Sequence, residues 1–248
     1  MKKLLSLLLF LAIFIMNTQG QDAKEIVKKA DEKMQGLSNY AVMTIKIIRP
    51  TWQREMKMRS WSLGTEYSMI IIDEPKKDKG MVFLKRKKEI WNWIPSIDKS
   101  IKLPPSMMMQ NWMGTDFTND DLVKQSSIVV DYTHSLIGDS TIQDLDCYKI
   151  ELIPNDNAPV VWGRIVIFID KNEYMQMRTE FYDEDGFMIN LMNFYDVKEM
   201  GGRVIPTTME MIPVDSPDKK TLMIYESIEF DIDISEDYFT TQKMKRVR

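Results

Sequence analysis

Cysteine and histidine are all but missing from this chain: Cys147 and His134 each stand alone among 248 residues. A single cysteine excludes an internal disulfide, so stability has to come from burial, and Cys147 is expected inside a strand. A Ser/His/Asp or Cys/His nucleophile system, or a histidine-ligated metal, would hang on His134 alone. That residue lies in an alternating, strand-like run where a structural role is expected. A nucleophile-elbow glycine pattern is also missing, which makes an exported hydrolase the weakest function class. The expectation is a protein that is not an enzyme, with no catalytic residue, cofactor or metal.

Glycine and proline number only 10 each, and no Pro/Gly/Ser-rich stretch divides the chain, so residues 21–248 are read as one domain with a single core. Basic residues are outnumbered, 33 Lys and Arg against 37 Asp and Glu. That balance excludes the basic footprint expected of a nucleic-acid binder. There is one long apolar run. Met1-Lys2-Lys3 is a charged n-region, Leu4 to Met16 an apolar h-region, and Thr18-Gln19-Gly20 supplies small residues for cleavage after Gly20. Residues 1–20 read as a secretory signal peptide, too short for the ~20 residues of a membrane span. No cysteine follows the run to be lipidated, and losing Lys2 and Lys3 takes the formal charge from −4 to −6. A soluble, exported protein is expected.

What remains is one helix followed by many strands. Asp22 to Gln35 carries Ala23, Ile26, Val27, Ala30 and Met34 at helical spacing, with Asp22 as N-cap and Gly36 just beyond the end. From Tyr40 onward, runs rich in β-branched and aromatic residues recur between turn signals. Ala41, Met43, Ile45 and Ile47 share a face of the first. Further strands are expected near 53–63, 66–73, 80–86, 89–94, 98–103, 128–137, 145–153, 160–170, 174–183, 187–197, 204–212 and 220–232. Short connections favour an antiparallel meander, and no helix alternates with the strands as a parallel α/β sheet requires. Asp183 to Gly186 reads as a hairpin turn, and Lys85 to Lys88 as a basic hairpin tip that is either solvated or drawn to anionic headgroups. Short helices are placed near Asn119 to Gln125 and Glu236 to Thr240. The fold class is mainly β: a strongly curved, incomplete antiparallel barrel of about eleven strands with a helical lid or plug.

Methionine is abundant, 21 in all, and its flexible thioether fits irregular apolar shapes. Large flat apolar groups gather in the first half of the chain at Trp61, Trp91, Trp93 and Trp112. The densest stretch is Met107 to Leu122, where Met107, Met108, Met109, Trp112 and Met113 follow the stop imposed by Pro104-Pro105. A run this apolar needs a core to enter or an apolar guest to cover. Thr118 follows as an N-cap, with Asp120 and Asp121 complementing the helix dipole. Asp116, Asp120 and Asp121 could also be read as a metal cluster or acid/base pair, but capping accounts for two of the three.

Three blocks carry a family resemblance. Trp93-Ile94-Pro95-Ser96-Ile97-Asp98-Lys99-Ser100, Met113-Gly114-Thr115-Asp116-Phe117-Thr118-Asn119-Asp120-Asp121-Leu122 and Glu180 to Gly186 resemble the LolA-like outer-membrane lipoprotein-sorting proteins. The middle block is similar to the Met-Gly-(Ser/Thr)-Asp-Phe-x-x-(Glu/Asp)-Asp-Leu signature of a branch found beside exporters of large hydrophobic molecules. The resemblance implies an incomplete barrel with helices in its mouth that carries acyl chains of lipoproteins or phospholipid through the periplasm, touching membranes transiently and acting as a monomeric chaperone. Together with the methionine and tryptophan pattern, a carrier of this kind leads to expected lipid contact or lid roles for Trp61, Trp91, Trp93, Met107, Met108, Met109, Trp112, Met113 and Phe117. Arg49-Pro50 resembles the family's lid-latching arginine pair, although it falls at a strand end. An inner-membrane exporter or lipoprotein-release complex is the implied partner. The rival function is an accessory protein docked permanently on such an exporter through the methionine-tryptophan segment.

Overall fold

The structure is a computed structural model that describes residues 22–124 and 127–247. The expected signal peptide lies outside the described residues. Helix α1 (Ala23–Gln35) begins where the Asp22 side chain accepts from the Lys24 amide, and it ends at Gly36, whose φ of 63° suits a residue without a Cβ. Ala23, Ile26, Val27 and Ala30 form its buried face.

Six strands then form a meander: β1 (Ser38–Arg49), β2 (Trp52–Leu63), β3 (Tyr67–Glu74), β4 (Val82–Arg86), β5 (Glu89–Ile94) and β6 (Lys99–Lys102). Seven more form a second meander: β7 (Tyr132–Ile142), β8 (Leu145–Pro154), β9 (Arg164–Asp170), β10 (Gln176–Tyr182), β11 (Met188–Met200), β12 (Arg203–Pro213) and β13 (Lys220–Phe230). The two join where β1 pairs antiparallel with β13, in a register running from Asn39 opposite Phe230 to Ile48 opposite Lys220. The result is one 13-stranded antiparallel sheet whose edges, β6 and β7, are not paired with each other. The incomplete barrel is therefore present. It has thirteen strands where the sequence suggests about eleven, because even the four-residue, largely exposed β6 keeps a ladder partner in β5.

Strand alternation sorts the side chains onto two faces. The inner face gathers Ala41, Met43, Ile45, Ile47, Met56, Met58, Ile70, Phe83, Ile165, Ile167, Met209 and Met211 around α1. On the outer face of β3 to β5, Tyr67, Met69, Ile71, Val82, Leu84 and Trp93 pack under Phe239 and Met244 of the C-terminal tail. That tail contains a 3-10 turn (Glu236–Tyr238) and the short helix α2 (Thr241–Met244). Arg86 pins it by donating to the carbonyls of Glu236 and Phe239, both at 3.0 Å. The basic hairpin tip is thus partly spent within the fold, with Lys85 also buried.

A second outer cluster holds Cys147, Phe168, Met175 and Met177. Cys147 is fully buried in β8, and burial pushes its thiol up to about 11. His134, on β7, donates a ring N–H to the Ile128 carbonyl at 2.6 Å, and its desolvation lowers its pKa. Both isolated residues sit in the structural surroundings expected of them. Among the described residues, no helix is long and apolar enough to cross a membrane.

Candidate functional site

The topology gives the methionine-tryptophan segment its position. Because β6 and β7 are opposite edges of the open sheet, residues 103–131 must connect one edge to the other. They do so in short turns: a 3-10 turn at Pro105–Met107, another at Trp112–Gly114 and a π-helical turn at Asp120–Lys124. The middle of the segment closes on itself. Asn111 forms an isolated bridge with Thr118, and the Trp112 amide donates to the Phe117 carbonyl at 2.8 Å. Met113 and Gly114 reverse the chain with φ of 48° and 78°, the second a natural place for glycine. Thr118 and Asp121 then cap each other reciprocally: the Asp121 carboxylate accepts from the Thr118 amide at 2.8 Å, and the Thr118 hydroxyl from the Asp121 amide at 3.1 Å.

In this arrangement the segment buries most of its apolar groups. Trp112 is 0% exposed and its ring lies 5.3 Å from that of Phe83 on β4, while Met108 and Phe117 join the inner core. Met107 and Met113 pack partly against the same core, while Met109, 66% exposed, points to solvent. The Trp112 indole N–H has no hydrogen-bond partner.

The sheet holds the segment down through charge. Arg49, at the end of β1, makes a two-pronged pair with Asp116 at 3.0 and 2.9 Å and also donates to the Gly114 carbonyl at 3.3 Å. Thr221 of β13 completes the grip, its hydroxyl donating to Asp116 at 2.6 Å and accepting from the Asp116 amide at 3.0 Å. Arg54 of β2 donates to the Met113 carbonyl. The strand-end position of Arg49 puts it beside the crossing segment.

Between α1, the crossing segment and the inner face lies a cavity of about 260 Å³. Its apolar lining includes Met43, Met58, Met192, Met209, Met211 and Met223 from five strands, with Phe117 and Leu122 from the crossing segment. Trp162, Phe181 and Phe194 add rings, and those of Trp162 and Phe181 are 5.0 Å apart. Polar groups are concentrated on α1, the early strands and the π-helical turn: Asp31, Gln35, Asn39, Ser60, Ser62, Asp120 and Asp121. Burial pushes the Asp121 carboxyl up to about 6 despite its bonds to Thr118 and to the Trp162 indole N–H at 3.2 Å. Asp31 is likewise pushed up to about 6 by burial, with Glu32 adding to the shift. Tyr225 is raised to about 12 by burial alone.

Among the sequence-named residues, Met107, Met108, Trp112, Met113 and Phe117 come together with Arg49 on the concave side. Trp91 and Trp93 do not: strand parity turns them to the outer face, where Trp93 is buried beneath the C-terminal tail and Trp91 lies against it. Trp61 borders the cavity, but its ring packs outward against Tyr40 and Tyr238 at 5.1 and 5.6 Å. Trp162 is outside the sequence-named set; the strand expected over 160–170 begins only at Arg164, so Trp162 lines the cavity from the connection before β9, where strand alternation does not set its aim.

A family model described only as "Uncharacterized protein" matches residues 64–246. The chain belongs to that family. Among solved structures, a domain from Vibrio parahaemolyticus assigned by name to outer membrane lipoprotein sorting is 22% identical, with a TM-score of 0.80, covering 90% of this chain and 98% of that one. A LolA superfamily protein from Nitrosomonas europaea is also 22% identical, at a TM-score of 0.78, with 89% and 98% covered. A DUF1329 family protein from Desulfovibrio piger is 19% identical at 0.79, with 90% and 97% covered. No curated protein matches in sequence. The family's fold, as this member has it, is therefore LolA-like: an open antiparallel sheet around a helix, spanned by a segment tied to its two central strands.

Proposed function

We propose that the protein is a periplasmic carrier that binds acyl chains of lipoproteins or other lipids between its sheet and helix, and passes them between membrane components without doing chemistry. One observation carries this reading: a methionine-lined cavity bordered by an apolar segment that crosses from one sheet edge to the other and is tied to the central strands through the polar cluster of Arg49, Asp116 and Thr221. The cavity, about 260 Å³, falls just under the roughly 300–1,000 Å³ of ordinary small-molecule sites. A long acyl chain needs more room, so the segment from Pro104 to Phe117 acts as a lid that swings away, with Arg49 as its latch. The methionines then remould around the guest.

Shielding a long saturated chain from water is worth about 12 kcal/mol at roughly 0.8 kcal/mol per methylene. Release into water is therefore excluded, and hand-over to a membrane or a second apolar cavity offsets the loss. Delivery to the periplasm rests on the signal peptide at residues 1–20, with residues 21–248 acting as one domain. Permanent docking on an exporter through the same segment is disfavoured, because Met108 and Trp112 are buried in the protein's own core. Native mass spectrometry after purification from a membrane-containing host tests the reading. Bound lipid or lipopeptide, released by extraction and taken up again from vesicles, is the expected result. A folded protein that neither carries nor accepts any lipid overturns it.

A further inference from the structure

One end of the cavity is lined by hydroxyls that the fold leaves unused. On β2, Ser60 and Ser62 share the inner face with Met58, and Ser62 stands opposite Ser68 of β3 on one side and Asn39 of β1 on the other. Ser62 and Ser68 are only 9% and 5% exposed. Among the described residues, none forms a hydrogen bond with the three serine hydroxyls, whereas the Asn39 amide donates to the Gln35 carbonyl at 2.9 Å. The polar lining at the π-helical turn differs, since Asp121 accepts from Thr118 and from the Trp162 indole, and Asp120 also has a partner. A buried hydroxyl without a partner costs stability, and alanine would occupy the same strand positions without that cost.

The position of these hydroxyls adds a direction. Asn39 and Arg49 lie near opposite ends of β1, so the hydroxyl end is remote from the latch on the crossing segment. Farther along the same two strands the lining turns to Met58 and Met43. Thr65, in the exposed turn between β2 and β3, also lines the hydroxyl end, which therefore opens to solvent there.

We infer that Ser60, Ser62 and Ser68 form a seat for the ester carbonyl of an acyl guest, whose chain runs toward the methionines while the rest of the molecule leaves past Thr65. The inference rests on the carrier reading and adds to it a polar subsite and an orientation. A few fixed polar groups in an apolar pocket orient a ligand in this way. An ester carbonyl accepts hydrogen bonds and satisfies hydroxyl donors; a hydrocarbon leaves them unsatisfied.

The test uses two esters with the same pyrene-ended acyl chain, a monoacylglycerol and an S-glyceryl-cysteine lipopeptide, and the chain-matched pyrene alkane. Each is titrated into the full mature protein. The double variant Ser62→Ala, Ser68→Ala should weaken binding of the esters by about tenfold or more, the scale of two lost hydrogen bonds, and leave the alkane within about twofold. The ester that binds the native protein more tightly identifies the source of the carbonyl, free lipid or lipoprotein. Circular dichroism and a melting curve establish folding, and Ser68→Ala alone replaces the double variant if that does not fold. Orientation is read from Thr65→Cys carrying a nitroxide, a label that the buried Cys147 does not take up. An ester labelled beside its carbonyl should lose more fluorescence to that nitroxide than one labelled at the chain end. Equal or greater loss from the chain-end label overturns the orientation. Ester and alkane affinities that change together, or not at all, in a folded variant overturn the seat and leave the carrier reading intact. Failure of all three probes to bind the folded native protein overturns both.

Discussion

At the scale of single residues, Arg49 and Asp116 form a deeply buried ion pair, with side chains only 12% and 5% exposed and both oxygens of the carboxylate engaged. Removing one partner of a buried pair leaves the other desolvated and unpaired. Arg49→Ala should therefore lower unfolding stability by about 3–5 kcal/mol, read as a reduced urea midpoint. Arg49→Lys should recover only part of the loss, because an ammonium cannot reproduce the two-pronged geometry of guanidinium on carboxylate. A midpoint for Arg49→Ala unchanged from the native protein would remove the latch from the argument. Arg49 could be found in the sequence through its place beside Pro50, and its partner through the Gly114 to Leu122 block. That the two meet could not, since 67 residues separate them and only the crossing of the segment over the mouth brings them together.

At the scale of elements, α1 and the π-helical turn each place a carboxyl against the cavity, and both carboxyls are pushed up to about 6 by burial. In the unfolded chain they titrate near 3.8. Between those values the native state binds more protons than the unfolded one, so their burial destabilises the fold at neutral pH, and that penalty shrinks as pH falls below about 6 and is gone only below about 3.8. Asp31→Asn removes the penalty at its source. The variant should melt higher relative to the native protein at pH 7.5 than at pH 4.5, and a difference independent of pH would refute the assignment to Asp31. The caps of these elements were legible. Asp22, Gly36 and the Thr118 to Asp121 box act locally, within one turn of their own helix, so residue type and spacing suffice. The inward or outward aim of a strand residue is less local. Trp91 and Trp93 stand on a face that alternation alone identifies only as distinct from that of Ile90 and Asn92, and which of the two meets the concavity depends on how the whole sheet bends.

At the scale of the whole molecule, the sheet is covered on its inner face and, over β3 to β5, on its outer face as well. The outer cluster around Tyr67, Met69, Leu84 and Trp93 depends on Phe239 and Met244 for its cover. A chain ending at Asp233 should expose that cluster and associate, visible as a shift to higher mass in size-exclusion chromatography with light scattering and as a lowered melting temperature. A shortened chain that stays monomeric with the native melting temperature would mean that the tail contributes no cover of consequence. The Lys85 to Lys88 tip belongs to this account, since Arg86 holds the tail from beneath.

The sequence by itself determined the strands, the helix, the caps and the dense apolar segment, because each follows from periodicity, propensity or turn chemistry within a few residues. Its methionine-rich strand faces also made an adaptable apolar interior foreseeable. Only the tertiary structure decided that β1 pairs with β13, that β6 and β7 are left as unpaired edges, and that the methionine-tryptophan segment must span between them. It also decided which residues line the cavity, including Trp162 and the carboxyls of Asp31 and Asp121. The physical reason is that a sheet's closure and bend are collective. They arise from pairings as distant as that of Asn39 with Phe230, and the space left between an open sheet and the elements that cross it is a property of their sum.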